Sequence, residues 1–244
     1  MIRRVRLWGA FAVGCMLALA LLVPLRLALG AFAADLPIAA RDVSGSLWAG
    51  RLHGARWGAM PLDTLGLRLR LLPLLYGQQQ WVLAGDRIAT VLVRGRTSGM
   101  RDASGELDLA LPASPDARVR LGLDRATVLF REGRCETAEG RVSLDLQLPV
   151  TAAGDDTAWP SSVQLDGRPT CSGSDARVEF APAGSLPTGI DTIAVTLDIA
   201  PAGSYRALTT VRTGAPGLRL ALQAHGFDGD ATAMVRSDRG HLLH

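Results

Sequence analysis

Val142-Ser143-Leu144-Asp145-Leu146-Gln147-Leu148 decides the fold class, because every second residue is aliphatic and every residue between is polar. A chain of period two sends one row of side chains to a core and the other to water, the pattern of a half-buried antiparallel strand. Outward from this stretch the alternation returns. Leu67, Leu69 and Leu71 alternate with Arg68 and Arg70; Leu107, Leu109 and Leu111 with Asp108 and Ala110; Val195, Leu197 and Ile199 with Thr196 and Asp198; Leu218, Leu220 and Leu222 with Arg219 and Ala221. Further strands are expected over 88–94, 126–130, 163–166, 177–180 and 205–211. Ser98-Gly99, Ser104-Gly105, Arg131-Glu132-Gly133, Ala153-Gly154-Asp155-Asp156, Asp166-Gly167, Ala202-Gly203 and Pro216-Gly217 read as turns between them. The expectation is one all-β domain over 34–244, an antiparallel curved sheet or half-barrel, or else a sandwich. Pro112-Ala113-Ser114-Pro115-Asp116 reads as a loop within it, Leu71 to Tyr76 as a single helical turn, and the polar tail from Asp228 to His244 as a fraying end.

The 33 residues before this domain are different in kind. Leu7 to Val23 is apolar without a break, and the run continues to Leu29 with Arg26 as its one charge. About 20 apolar residues cross a hydrocarbon core of about 30 Å. Residues 7–29 therefore read as a transmembrane helix, with Pro24 as a kink and Arg26 snorkelling outward. Arg3, Arg4 and Arg6 hold residues 1–6 in the cytoplasm by the positive-inside rule, which places the β-domain in the periplasm. The other reading of the same segment is a cleaved signal peptide ending near Ala31-Phe32-Ala33; both readings export the domain.

Net charge is +3, and all 26 basic residues are arginine. Four of those arginines precede Asp35 with no acid among them, leaving 22 against 23 acids from Asp35 onward. The basic excess is a topology signal and not a nucleic-acid footprint. The chemistry-bearing residues are scattered. Histidine occurs at His53, His225, His241 and His244, and the paired acids Asp155-Asp156 fall in a Gly-rich turn. No Gly-x-Ser-x-Gly elbow, His-Glu-x-x-His or phosphate loop occurs, so no catalytic, cofactor-binding or metal-binding residues are assigned. Cys15 lies in the apolar run. Cys135 and Cys171 fall in the exported part, where an oxidising compartment lets them pair, at roughly 3–4 kcal/mol of loop-closure entropy. Two free thiols or a redox pair are the other readings of the same two residues.

Gly45-Ser46-Leu47-Trp48-Ala49-Gly50 sits between the apolar run and the strands. Its two glycines permit a tight turn, and Trp48 is expected to plug the core as the β-domain begins. A second cluster follows at Gly54, Trp57 and Gly58. The first of these stretches resembles the motif Gly-Thr-hydrophobic-Trp-Ser-Gly that opens the periplasmic part of the type II secretion system protein N family, with Ser46 for the Thr and Ala49 for the Ser. Leu65 to Tyr76 and Gly77 resemble the family's amphipathic strand leading into a Pro-Leu-Leu-x-Gly turn, although this strand lacks the family's Trp. Cys135 and Cys171 fall where the family tends to carry a pair.

The resemblance implies a bitopic inner-membrane protein serving the machinery that moves folded proteins from the periplasm across the outer membrane. It implies contacts with inner-membrane platform proteins or the secretin, no cofactor, and a structural role for Gly45, Ser46, Leu47, Trp48 and Gly50. Two rivals follow from the residues themselves. Leucine-rich, aromatic-poor rows also suit an open apolar groove for lipid. An exported hydrolase requires His53 or His225 to approach an acid and a serine.

Overall fold

The alternating segments form one antiparallel sheet in the computed structural model, which describes residues 24–26, 38–57, 60–110, 118–147, 162–230 and 232–241 of the chain. The elements are β1 (Ile38–Ala39), β2 (Asp42–Ser46), β3 (Ala49–Trp57), β4 (Met60–Leu69), α1 (Leu71–Leu74), β5 (Gln79–Gly85), β6 (Ile88–Arg94), β7 (Thr97–Ala110) and β8 (Arg118–Arg131). They continue with β9 (Arg134–Gln147), β10 (Val163–Ser172), β11 (Asp175–Pro182), β12 (Thr192–Ile199), β13 (Ser204–Arg212), α2 (Pro216–Ala224), β14 (Asp228–Gly229) and β15 (Met234–His241). From β3 to β13 each strand pairs with the next in sequence. β1 and β2 share the outer side of β3, and β15 and then β14 follow β13. The two ends of the sheet are not joined to each other, so it is an open sheet.

The aliphatic rows meet in register. Leu107, Leu121, Leu144 and Leu165 lie side by side across β7 to β10. The neighbouring row runs Ile88, Gly105, Leu123, Val142, Gly167, Phe180 and Val195. These rows form the inner face. Its first half buries Leu52, Leu65, Leu67, Trp81 and Leu83; its second buries Leu165, Val178, Phe180, Val195 and Met234, with Leu222 of α2 laid over them. Leu123 packs against both halves, which makes the core continuous. Each fully buried leucine stabilises by about 2 kcal/mol. The sheet curls tightly near its start. β4 and β7 approach each other across the two strands between them, and Arg87, in the β5–β6 turn, reaches both Asp63 at 3.7 Å and Asp108 at 2.8 Å. Irregular pairings within β3–β4, β6–β7, β7–β8 and β8–β9 add local twist.

Three expectations are corrected. Leu218, Leu220 and Leu222 lie on α2 and not on a strand. Pro216 is pre-set for a first helical turn, no β-branched residue follows, and spacing of four puts Leu218 and Leu222 on one face. Leu220, between them, is 68 % exposed. Within the tail expected to fray, Met234 to His241 pairs with β13 along its length. Ser104-Gly105 and Asp166-Gly167, like Ser98-Gly99, lie inside strands and are not turns. A Cβ on Gly105 would overlap the Arg87 carbonyl, and one on Gly167 would sit 2.8 Å from Val178 and 2.9 Å from the Glu179 carbonyl. Glycine there lets neighbouring chains close up.

Most of the apolar run 7–29, Cys15, the Pro112–Asp116 stretch, Asp155-Asp156 and His244 lie outside the described residues. Among the described residues no helix is long and apolar enough to cross a membrane.

Candidate functional site

Strand direction alternates along the sheet, so the loops at 46–49, 70–78, 94–97, 131–134, 172–175 and 199–204 share one rim. The features that distinguish this chain collect there. At the centre of the rim, the β9–β10 ladder stops at Val142 and Gly167. Beyond it the upper part of β9 and the end of β10 are joined by the Cys135–Cys171 disulfide, with Cα atoms 5.5 Å apart. The Cys135 N–H donates to the Ser174 carbonyl at 3.0 Å, and Val128, Phe130, Ala176 and Ile199 pack behind the bridge. The covalent link replaces ladder hydrogen bonds where pairing has ended.

At one end of the rim stands the Gly45–Gly50 hairpin. Gly45 has φ +86°, and a Cβ on it would overlap the Ala49 carbonyl oxygen. A Cβ on Gly50 would overlap the side chain of Leu25, which is wholly buried. Leu47 and Leu25 therefore fill the place expected for Trp48, which is half-buried against the same cluster. Pro24 bridges Ser46, and Arg26 lies along β2, donating through Nε to the Val43 carbonyl at 3.0 Å and through Nη2 to Asp42 at 2.7 Å. Nothing in the sequence pattern pointed to this latch, because its partners are 16 or more residues apart.

The Arg26 guanidinium and the Val43 N–H hold the Asp42 carboxyl below the ordinary aspartate range. A depressed acid keeps its contribution above its unfolded value and loses it only as pH falls through the folded one. The latch is therefore complete at neutral pH and opens only in acid, below the ordinary aspartate range. Asp42→Asn is expected to open it at neutral pH, seen as faster amide exchange at Val43 and Ser46 with the urea midpoint nearly unchanged. Unchanged exchange at both amides counts against the latch.

Between hairpin and seam lies α1. Leu75, Tyr76 and Gly77 donate backbone hydrogen bonds to Leu72, Pro73 and Leu74 at 3.0–3.2 Å, and Arg70 N–H bonds the Gln80 carbonyl at 2.9 Å. The turn is ordered, yet none of its residues is buried: Leu71, Leu72, Leu75 and Tyr76 are 57, 74, 80 and 83 % exposed. An open cleft beside it is lined by Leu72, Pro73, Tyr76, Gln78, Arg96 and Arg131.

Groups able to do covalent chemistry come together loosely. Ser44 Oγ is 3.5 Å from His53 Nε2 on the exposed hairpin, and Asp42 pairs with His53 in register. Asp42 is turned to Arg26 and its own neighbour's N–H, so it does not orient the imidazole. Among the described residues no group of three His, Cys, Asp or Glu is placed to hold a metal ion.

The family model of type II secretion system (T2SS) protein N matches residues 37–237, which span the sheet from its first strand into its last. The chain belongs to that family. No curated protein and no solved structure gives a match. Membership in the T2SS protein N family makes it a type II secretion component, and its structure is an all-β sheet bridged by the Cys135–Cys171 disulfide. In this family member the Gly-Ser-Leu-Trp-Ala-Gly stretch forms the β2–β3 hairpin that receives Pro24 and Leu25. The Pro-Leu-Leu-x-Gly stretch supplies Leu75 and Tyr76, two of the four exposed apolar side chains of the turn.

Proposed function

We propose that this T2SS protein N is an accessory or assembly component that works by protein–protein contact in the periplasm, held to the inner membrane by the apolar run 7–23 with its N-terminus in the cytoplasm; the end of the span expected at 7–29 is taken up by the β-domain, where Leu25 is buried and Arg26 pairs with Asp42. The disulfide supports an oxidising compartment. The apolar run leading to Pro24 and the arginines at positions 3, 4 and 6 support the anchor and its orientation. The partners are other type II secretion components, inner-membrane platform proteins or the secretin.

The observation that carries the contact mechanism is the open edge of β15. β14 covers only Met234 and Val235, so the strand from Arg236 to His241 offers backbone groups on its outer side. The Asp230 N–H bonds the Ala233 carbonyl, which turns the backbone groups of odd-numbered β15 residues toward that edge. A partner strand added there would pair with Ser237 and Arg239. Ser237→Pro removes an outward N–H and leaves the ladder to β13 in place. It is expected to fold with an unchanged melting midpoint and to trap exoenzyme in the periplasm, as gene deletion does. Normal secretion from a well-folded Ser237→Pro strain rules out edge pairing; normal secretion from the deletion strain rules out an essential role.

The observations do not favour the lipid-groove reading. Inner-face positions such as Leu165, Val178 and Phe180 are 0–3 % exposed because they bury one another.

A further inference from the structure

A polypeptide in water does not leave four neighbouring large apolar side chains uncovered without a reason. Leu71, Leu72, Leu75 and Tyr76 are the most exposed such cluster on the described surface, and their backbone is fixed by turn hydrogen bonds. Gly95, in the next loop along the rim, comes close enough to the Gly77 carbonyl that a Cβ would lie 2.9 Å from it, so the two loops are braced together. The charged residues of loops 70–78, 94–97 and 131–134 are Arg70, Arg94, Arg96, Arg131 and Arg134 against the single acid Glu132. Of these, Arg131 is paired with Glu136 at 3.0 Å, and Arg70, Arg96 and Arg134 are exposed. An apolar wedge flanked by arginines fits an interface that is oily within and anionic at its surface.

The course of the chain says where such an interface lies. The uncharged residues 7–23 lead directly to Pro24, and Pro24 is bonded to Ser46 on this same rim. The Leu69 N–H donates to the Leu47 carbonyl at 3.2 Å, so the hairpin that receives Pro24 adjoins the root of α1. We propose that this rim faces the bilayer and that α1 docks into an anionic phospholipid surface, with Leu72, Leu75 and Tyr76 entering the interface and Arg70, Arg96 and Arg134 meeting lipid phosphates. The proposal rests on the reading of the apolar run before Pro24 as a membrane anchor. It fixes the orientation of the domain: the α1 rim lies against the membrane and α2, at the other end of the strands, points away.

The test uses the full chain with Cys15→Ser, its disulfide intact, in phosphatidylcholine vesicles with or without phosphatidylglycerol. An environment-sensitive fluorophore is placed at Leu75→Cys or, for comparison, at Leu220→Cys on α2. With phosphatidylglycerol the Leu75 probe is expected to shift to the blue and lose access to iodide, while the Leu220 probe keeps both its emission and its quenching. Arg96→Glu and Arg134→Glu, or raised salt, are expected to return the Leu75 probe toward water, with the docked-to-free ratio falling at least about fivefold for each arginine reversed. Protein that floats with the vesicles while the Leu75 probe stays in water overturns the docking and leaves the anchor standing. Protein that does not float overturns the anchor. A Leu75 probe shielded in lipid-free detergent, increasingly with protein concentration, assigns the patch to a second copy of the chain and overturns the lipid assignment.

Discussion

Reducing the Cys135–Cys171 disulfide is expected to lower the unfolding free energy by about 4 kcal/mol. The bridge closes 36 residues, and fixing a loop of that length removes about this much entropy from the unfolded chain. Structure adds a local effect to the chain statistics. Pairing of β9 with β10 has already ended at Val142 and Gly167, so above that point little besides the bridge and the Cys135–Ser174 hydrogen bond holds the two strands together. A urea melt with and without reductant measures the first effect: at a typical slope of about 2 kcal/mol per molar, the midpoint falls by about 2 M. Amide exchange at Cys135 measures the second, and it should rise far more than exchange at Leu144. Cys135→Ser with Cys171→Ser should match the reduced protein. Coincident melts in both redox states would mean that the strands are held by their packing alone.

Trp81→Ala is expected to cost about 3–5 kcal/mol, the range for truncating a large buried aromatic. Trp81 is 2 % exposed and lies in register between Leu69 and Leu92, against Leu65, Leu67 and Leu83. The surrounding strands are tied to bulges and to the curl, so the void has little means of collapsing. Leu69 also leads into α1, so the loss should loosen the exposed turn before it unfolds the sheet. Circular dichroism melts give the stability, and exchange at Leu75, Tyr76 and Gly77 gives the local response. Trp81→Phe should recover much of the loss. A Trp81→Ala protein within about 1 kcal/mol of the parent would show that the first half of the core is not well packed.

How much of this was legible depended on where each side chain's environment is decided. Val142 to Leu146 reads as a strand because one face is buried and the other wet, and register then follows from the aliphatic rows. β5 escaped notice for the opposite reason. Trp81, Val82 and Leu83 are consecutive apolar residues, and Val82 packs with Val91, Val93 and Leu129 on the face away from Trp81. A strand covered on both faces has no alternation to find. Leu218 to Leu222 misled because spacing of two within five residues is also spacing of four; Pro216 and the lack of β-branched residues decide for the helix. β15 has almost no apolar row, so only pairing with β13 reveals it. The cysteine pair was legible from residue type and compartment, and the hairpin from its glycines. Exposure at α1 and the Arg26–Asp42 contact depend on distant parts of the chain meeting, which local patterns do not encode.

Nearly every pairing in the sheet joins strands that follow one another along the chain. Such an arrangement asks for little long-range search, since each hairpin closes on residues already nearby. In the topology proposed above the β-domain emerges from its anchor end onward, so it can add strands in the order in which they arrive, without waiting for a distant partner. The last strand to arrive is β15, and until it docks, β13 carries the growing edge. Folding of this protein would then run in step with its own translocation, and the edge proposed for the partner would be completed only when translocation has finished.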